Sequence, residues 1–291
     1  MRILHFSDVH LDFDFSAIPR MQWLGKRIIG GLNLYFFRRH AFTNVAVKID
    51  ELCAFRRDHA VDLAISTGDF TLLGTESEYM AVRRAVAPMY KAPQGFIAVP
   101  GNHDQYVHDT PSGRRFERHF GDAATTDRAD LLVDDIWPAV RLIGMDIAVV
   151  SVNSARPNPL PWKSSGRIPQ RQLDGLRRVL SDPVITSRFV FIITHYTPKL
   201  ADGEDDRWNH GLVNADEFLA ICAPVERGAI LCGHVHHCFR VKVPGVGPEI
   251  FCAGSATINE RAGFWVFDVD DERFTARRGE RVHGRYRLTG G

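Results

Sequence analysis

The stretch that decides the fold reads Phe96-Ile97-Ala98-Val99-Pro100-Gly101-Asn102-His103-Asp104. Four apolar residues make a short buried strand, Pro-Gly ends it, and side chains able to bind a metal or move a proton follow at once. The same pattern recurs along the chain. Ile3-Leu4-His5-Phe6 runs into Ser7-Asp8-Val9-His10, and Leu63-Ala64-Ile65-Ser66 runs into Thr67-Gly68-Asp69. The run from Phe189 to Ile193 leads to Thr194-His195, and a strand near 229 leads to Gly233-His234-Val235-His236. Ligands of open α/β sheets gather outside the carboxyl ends of strands, so these five loops can converge on one site.

Helical patterns separate the strands. Thr43 is placed to cap a helix running to about His59, with Val45, Ile49, Leu52 and Cys53 on one face. A second helix is expected from about Glu76 to Tyr90, and Pro169 opens a third through Leu173, Leu176 and Leu180. Val140 to Val152 hold two strands divided near Gly144-Met145, and after about Gly228 the pattern is mostly strand. Alternating strands and helices followed by a strand-rich tail predict an α/β sandwich of mixed sheets. No repeat or linker divides the chain, so one domain is expected over residues 1–291.

Composition narrows the function classes. The 291 residues include 36 basic and 35 acidic side chains, a formal net charge of +1, with 45% hydrophobic residues. These are the proportions of a globular chain with a sizeable core, not of a disordered, fibrous or integral membrane one. The near-zero balance removes the electrostatic case for a nucleic-acid partner. Five cysteines, an odd number without disulfide-framework spacing, suit a reducing compartment. The opening MRILHFSDVH lacks signal-peptide features, and no run approaches 18 apolar residues, so the expected location is cytoplasmic. Histidine is the unusual entry in the composition, at 13. It is the commonest metal ligand and the side chain most easily poised near neutral pH.

The spacings suit metal chemistry. In an extended segment residues i and i+2 point the same way, so Asp8 and His10 can reach one metal, as can His234 and His236. The neighbouring glycines let the backbone turn sharply and keep bulk away. A carboxylate can bridge two ions, a role that suits Asp69, and Asn102 offers a neutral carbonyl oxygen. Such a mixture of oxygen and imidazole donors favours Mn, Fe, Zn or Co over Ca or Mg.

The series Asp8-x-His10, Gly68-Asp69, Gly101-Asn102-His103-Asp104, His195 and Gly233-His234-x-His236 resembles the calcineurin-like metallophosphoesterase superfamily, in that family's order. The resemblance implies an αββα four-layer sandwich, two mixed sheets flanked by helices, with a dinuclear metal site at the strand ends. It implies a first metal on Asp8, His10, Asp69 and His236, and a second on Asp69, Asn102, His195 and His234. His103 would approach the leaving-group oxygen, with Asp104 orienting or tuning its imidazole. His5 and His237 read as packing or outer residues. His40, His59, His108, His119, His210 and His283 carry no motif, and the acidic run Asp202, Glu204, Asp205, Asp206 reads as a solvated loop or a rim of the site.

The reaction implied is hydrolysis of a phosphodiester, a cyclic nucleotide or similar small diester, by in-line attack of a metal-bridging hydroxide. Two divalent ions, the carboxylates of Asp8 and Asp69 and one hydroxide leave a net charge of about +1, suited to a singly charged diester, with the metals about 3.5–4 Å apart. His103 as imidazolium would protonate the departing alkoxide. The residues from Phe70 to Tyr79 look like the bacterial branch of class III cyclic-nucleotide phosphodiesterases and glycerophosphodiesterases. Asn153 and Arg156 are candidates for contacting substrate phosphate or base.

One segment departs from the simple cyclic-nucleotide enzymes. From Phe15 to Ile49 there is no acidic residue, but there are Arg20, Lys26, Arg27, Arg38, Arg39 and Lys48 among many apolar and aromatic side chains. This basic aromatic insertion, at about 15–42, reads as an interfacial anchor on an anionic membrane, a lid, or a buried or dimer contact. Arg27 within it is a further substrate-binding candidate. The insertion motivates an alternative, a membrane-surface UDP-2,3-diacylglucosamine pyrophosphatase of lipid A synthesis, peripheral to the inner face of a membrane. A nuclease lacks a duplex-binding platform here, and a non-catalytic scaffold would have lost ligands.

Overall fold

In the computed structural model the first strand, β1 (Arg2–Phe6), lies between a parallel neighbour, β2 (Leu63–Ser66), and an antiparallel one, β10 (Gly263–Val269). Residues 1–11, 27, 42–107, 114–133, 136–158, 160, 162–259, 262–270 and 273–289 are described. The basic aromatic insertion, apart from Arg27 and Phe42, therefore lies outside the described residues.

β3 (Phe96–Ala98) extends the first sheet on one side, and β11 (Phe274–Val282) and β12 (Arg285–Leu288) extend it on the other, giving the order β12-β11-β10-β1-β2-β3. The second sheet has the order β4-β5-β6-β7-β9-β8, built from β4 (Ala139–Ile143), β5 (Ile147–Ser151), β6 (Phe189–Tyr196), β7 (Gly228–Gly233), β8 (Phe239–Val241) and β9 (Glu249–Cys252). Its middle strands β5, β6, β7 and β9 run parallel, and β4 and β8 pair antiparallel at the edges. Both sheets are mixed, and helices flank them, as the resemblance implied.

Alternation along β6 shows how the layers form. Phe189, Phe191 and Ile193 belong to the core that also holds first-sheet residues, whereas Val190 and Ile192 join a second core with Leu173, Leu176 and Phe218. Those last three come from α3 (Gln170–Val179) and α4 (Ala215–Cys222). Successive strand residues point to opposite faces, so one strand feeds two cores. Between the sheets Phe191 and Phe251 meet Phe267 at ring distances of 5.5 and 5.1 Å, and Phe189 stacks on Phe274 at 4.6 Å. Phe191, Phe251 and Phe267, fully buried, each stabilise the fold by about 1.5–3 kcal/mol through burial alone.

Two helix boundaries differ from expectation. α1 (Val45–Asp58) starts after Asn44, which sits at φ 55° without a side-chain cap, while the Thr43 hydroxyl accepts a hydrogen bond from Asn259 at 3.0 Å. The second helix is shorter than its pattern: α2 (Glu76–Ala85) gives way to a 3₁₀ turn, Ala87–Lys91, because Pro88 cannot continue an α-helix. Its start is firm, with Thr75 and Glu78 forming a reciprocal capping box. Among the described residues, no helix is long and apolar enough to cross a membrane.

Candidate metal centre

The parallel strands of the two sheets deliver their loops to one place. The amides of Asp8 and His10 donate to the carbonyls of Gly68 and Asp69, both at 2.9 Å, which lays the loop after β1 along the loop after β2. The second sheet is tied in through the His234 amide, which donates to Oδ2 of Asp8 at 3.0 Å. Two groups of ligand-type atoms result. Asp8, His10, Asp69 and His236 form one, and Asp69, His195 and His234 form the other. Asn102 joins the second group, with its Oδ1 3.1 Å from His195 Nε2 and 3.0 Å from His234 Nδ1. The two groups share Asp69.

Tautomers follow from the outer contacts. A carbonyl only accepts, so an imidazole nitrogen facing one carries the hydrogen. His195 Nδ1 is 2.7 Å from the Thr67 carbonyl, His10 Nδ1 3.3 Å from that of Thr71, and His234 Nε2 3.1 Å from that of His210. Burial pushes the imidazoles of His195 and His234 down from their usual range, so both are neutral at physiological pH. Their inner nitrogens then present lone pairs, and both point at the Asn102 oxygen, itself an acceptor. On the other side, His10 Nε2 lies 3.1 Å from His236 Nε2 and 3.7 Å from Asp8 Oδ1. Asp8 Oδ1 is buried and has no hydrogen-bond partner, although His236 Nε2 is 3.0 Å away. Burial works against ionising Asp8, yet His236 and His10 beside it hold its carboxyl well below the ordinary range. Around Asn102 the lone pairs converge with no proton between them, an arrangement that fits a cation. The oxygen and imidazole donors suit divalent transition metals.

The ligands do not sit on extended backbone, as the i, i+2 reading supposed. Asp8, His10, Asp69, His234 and His236 have φ of 53°, 44°, 57°, 74° and 55°, in the left-handed region. Each of these five is turned inward by a local kink rather than by strand pleat, whereas His195 lies within β6. Two glycines make the crowding possible. A Cβ on Gly101 would stand 2.1 Å from Asp69 Oδ1, and one on Gly233 would stand 2.0 Å from Ser7 Oγ and 2.6 Å from Asp8 Oδ2.

His103 sits beside both groups. Its amide donates to Asp69 Oδ1 at 2.8 Å, its ring packs edge-on to His10 at 4.9 Å between centroids, and its Nδ1 is 2.7 Å from the Leu72 carbonyl. Asp104 is placed differently from expectation. Its buried carboxylate accepts the amides of Phe70, Thr71 and Gly101 and the Thr71 hydroxyl at 2.9–3.2 Å, so it braces the loop after β2, while the Leu72 carbonyl faces the His103 imidazole. Burial pushes the Asp104 carboxyl up to about 6, against the pull of these amides. Buried Glu78 does parallel work, accepting from the amides of Leu72, Leu73 and Thr75.

The proposed substrate contacts are engaged elsewhere. Arg27 is buried, with its guanidinium donating to the carbonyls of Leu73 and Gly74. Arg156 forks onto the carbonyl and hydroxyl of Ser165, and Asn153 Oδ1 accepts the Ala155 amide. Phe42, at the end of the insertion, packs edge-on against His10 at 5.4 Å. Asp206, in the acidic run read as a solvated loop or a rim of the site, and His210, read as carrying no motif, abut His234 and form with it a third group of ligand-type side chains. Their spacing of four residues is the one local sign that they act together.

Donors of this kind at the mouth of two facing mixed sheets define a metal-binding sandwich of the phosphoesterase class. The model of the calcineurin-like phosphoesterase family matches residues 1–238, and the chain belongs to that family. It is similar to the 3',5'-cyclic adenosine monophosphate phosphodiesterase CpdA of Pseudomonas aeruginosa, being 29% identical over 185 residues, which cover 63% of this chain and 57% of that protein. The match thus spans less than two thirds of the relative. Among solved structures, a dimetal phosphatase from Danio rerio superposes with a TM-score of 0.68 at 16% identity, over 99% of this chain and 98% of that one. Purple acid phosphatase PPD1 from yellow lupin (Lupinus luteus) seeds superposes with a TM-score of 0.64 at 11% identity, over 99% of this chain and 52% of that one. At these identities the likeness is one of fold.

Proposed function

We propose that the protein hydrolyses a small phosphodiester, a cyclic nucleotide or a related diester, using two divalent cations. The single observation that carries this reading is the pair of ligand groups sharing Asp69. Asp8, His10, Asp69 and His236 would hold one cation, and Asp69, Asn102, His195 and His234 the other. When bound, two such ions supply Lewis acidity toward the phosphoryl oxygens and make water nucleophilic near neutral pH.

The remaining work falls to the chain. His103 is anchored twice, by its amide on Asp69 and by Nδ1 on the Leu72 carbonyl. Its Nε2 is the nitrogen assigned to exchange a proton with the leaving oxygen. Asp104 acts as a brace: it ties the amides of Phe70 and Thr71, next to Asp69, to that of Gly101. The neutral Asn102 adds a ligand without adding charge, which keeps the centre positive toward a diester anion. The likeness to CpdA supports a cyclic nucleotide as the first substrate to try.

The test is a substrate panel under Mn and under Zn: cyclic AMP, a glycerophosphodiester, UDP-2,3-diacylglucosamine and a phosphomonoester. Metal-dependent turnover of a diester, abolished by chelator, supports the reading. Full activity in a metal-free preparation overturns it. Release of UMP from UDP-2,3-diacylglucosamine in preference to diester cleavage favours the membrane-surface alternative.

A further inference from the structure

His10 and His195 are steadied by the carbonyls of Thr71 and Thr67, which flank Asp69 in its own loop. His234 is steadied from a loop that carries none of the assigned ligands. Its Nε2 faces the His210 carbonyl at 3.1 Å, and the two imidazole rings lie 4.1 Å apart at 34°. His210 is fixed in turn: its Nδ1 is 2.5 Å from Asp206 Oδ2, and Asp206 Oδ1 accepts the Arg207 amide at 2.7 Å. The Asp206 side chain is only 8% exposed. A Cβ on Gly211 would stand 2.8 Å from the Cβ of Asp206, so the turn closes tightly around that carboxylate. The turn is stitched to the neighbouring segment as well, with the Ser164 amide on the Asn209 carbonyl at 2.9 Å and the Gly166 amide on that of Gly211 at 3.1 Å.

Asp206, His210 and His234 could be mistaken for a further cation site, since their ligand atoms lie within 4.8 Å of one another. The hydrogen-bond geometry argues otherwise. Nε2 of His234 faces a carbonyl and carries its hydrogen there, so it has no lone pair to offer on that side. The neutral imidazole then has its lone pair on Nδ1, toward Asn102.

We infer that Asp206 and His210 are positioning residues for His234. Resting on the two-cation reading above, they set its tautomer and ring direction and so determine how tightly one of the two cations is held. Outer partners of metal-ligating histidines orient the ring and raise its basicity, and losing them costs about 10–100-fold in metal affinity or activity. The unit here is extended by one step: carboxylate, imidazole, then backbone carbonyl and ring face onto the ligand.

The test titrates Mn and Co into the metal-depleted full-length chain, by calorimetry and by cobalt absorption, for wild type, Asp206→Ala, His210→Ala and His210→Phe. Wild type should take up two equivalents. In both alanine variants one equivalent should weaken by about 10–100-fold, with an altered cobalt spectrum, while the other keeps its affinity. His210→Phe, which retains a ring against His234, should recover part of the loss. General disruption of the fold would weaken both equivalents together, and that result would overturn the inference, as would unchanged binding of both. A wild-type chain that binds a single equivalent would overturn the two-cation reading and this inference with it. Two equivalents in wild type with no selective loss would overturn the inference alone.

Discussion

The backbone amide of His103 donates to Oδ1 of Asp69 across 2.8 Å. The residue proposed to move the proton is therefore bolted to the carboxylate common to both ligand groups through its main chain, not its ring. Its imidazole can be removed without removing that tie.

His103→Ala should accordingly lower kcat by about 10²–10⁴, the usual range for a lost general acid, while metal content stays near that of wild type. Steady-state kinetics paired with elemental analysis of the same preparation checks both halves. A drop in bound metal equal to the drop in rate would show that the ring is a ligand.

Asp69→Ala and Asn102→Ala should each reduce diester hydrolysis to background, for different reasons. Asp69 stands in both ligand groups, so its loss should deplete both cations, whereas Asn102 meets the inner nitrogens of His195 and His234, in one group. Elemental analysis should therefore find more metal in Asn102→Ala than in Asp69→Ala. Equal metal content in the two variants would remove Asp69 from its shared position.

Asp104→Ala is predicted to be mainly a stability mutation. It strips the amides of Phe70, Thr71 and Gly101 of their shared acceptor, and unpaired buried donors cost about 1–3 kcal/mol each. Chemical denaturation should show a loss of at least about 3 kcal/mol, with Asp104→Asn intermediate because one carbonyl oxygen remains. A variant as stable as wild type but inactive would make Asp104 catalytic.

His5 supplies a pH test. It is wholly buried, its Nδ1 has no hydrogen-bond partner, and Nε2 meets the Thr67 hydroxyl at 3.1 Å. Burial pushes its pKa down to about 3, against the opposing charge of Asp8. The unfolded chain, with an ordinary histidine near 6.5, binds more protons between those two values. The stability contribution is thus whole above pH 6.5 and is lost as pH falls toward 3, at no more than about 1.4 kcal/mol per pH unit. His5→Phe should show a shallower fall in unfolding free energy from pH 6 to pH 4 than wild type, by denaturant titration at each pH. Parallel slopes would mean that His5 is already protonated in the folded chain.

The sheet strands were legible because apolar runs such as Phe96 to Ala98 and Phe189 to Ile193 end in loops of quite different chemistry. That contrast also picked out Asp8, His10, Asp69, Asn102, His195, His234 and His236, all of which the fold gathers. Backbone conformation was not legible. Asp8 and His10 were read as neighbours on a pleat, and they are kinked residues held by the carbonyls of the next loop. The partner of Asp104 was misjudged because adjacency in sequence suggested His103, whereas the loop after β2 folds over the carboxylate with its buried amides turned onto it. Thr43 was read as a cap from its residue type, but its hydroxyl is engaged by Asn259, far along the chain. For His210 the only local signal is its four-residue spacing from Asp206, since its role beside His234 is defined by a strand end that follows it in the chain.

The five left-handed ligands have a consequence for how this site can vary. Outside glycine, the left-handed region is entered most readily by Asn, Asp and His, whose short polar side chains tolerate it, and poorly by β-branched or bulky residues. These three are also among the side chains that bind divalent metals. Coordination chemistry and backbone conformation therefore restrict the same five positions to nearly the same short alphabet, so that exchanging His for Asp at one of them retunes the donor, while Val or Ile there would alter the path of the chain itself.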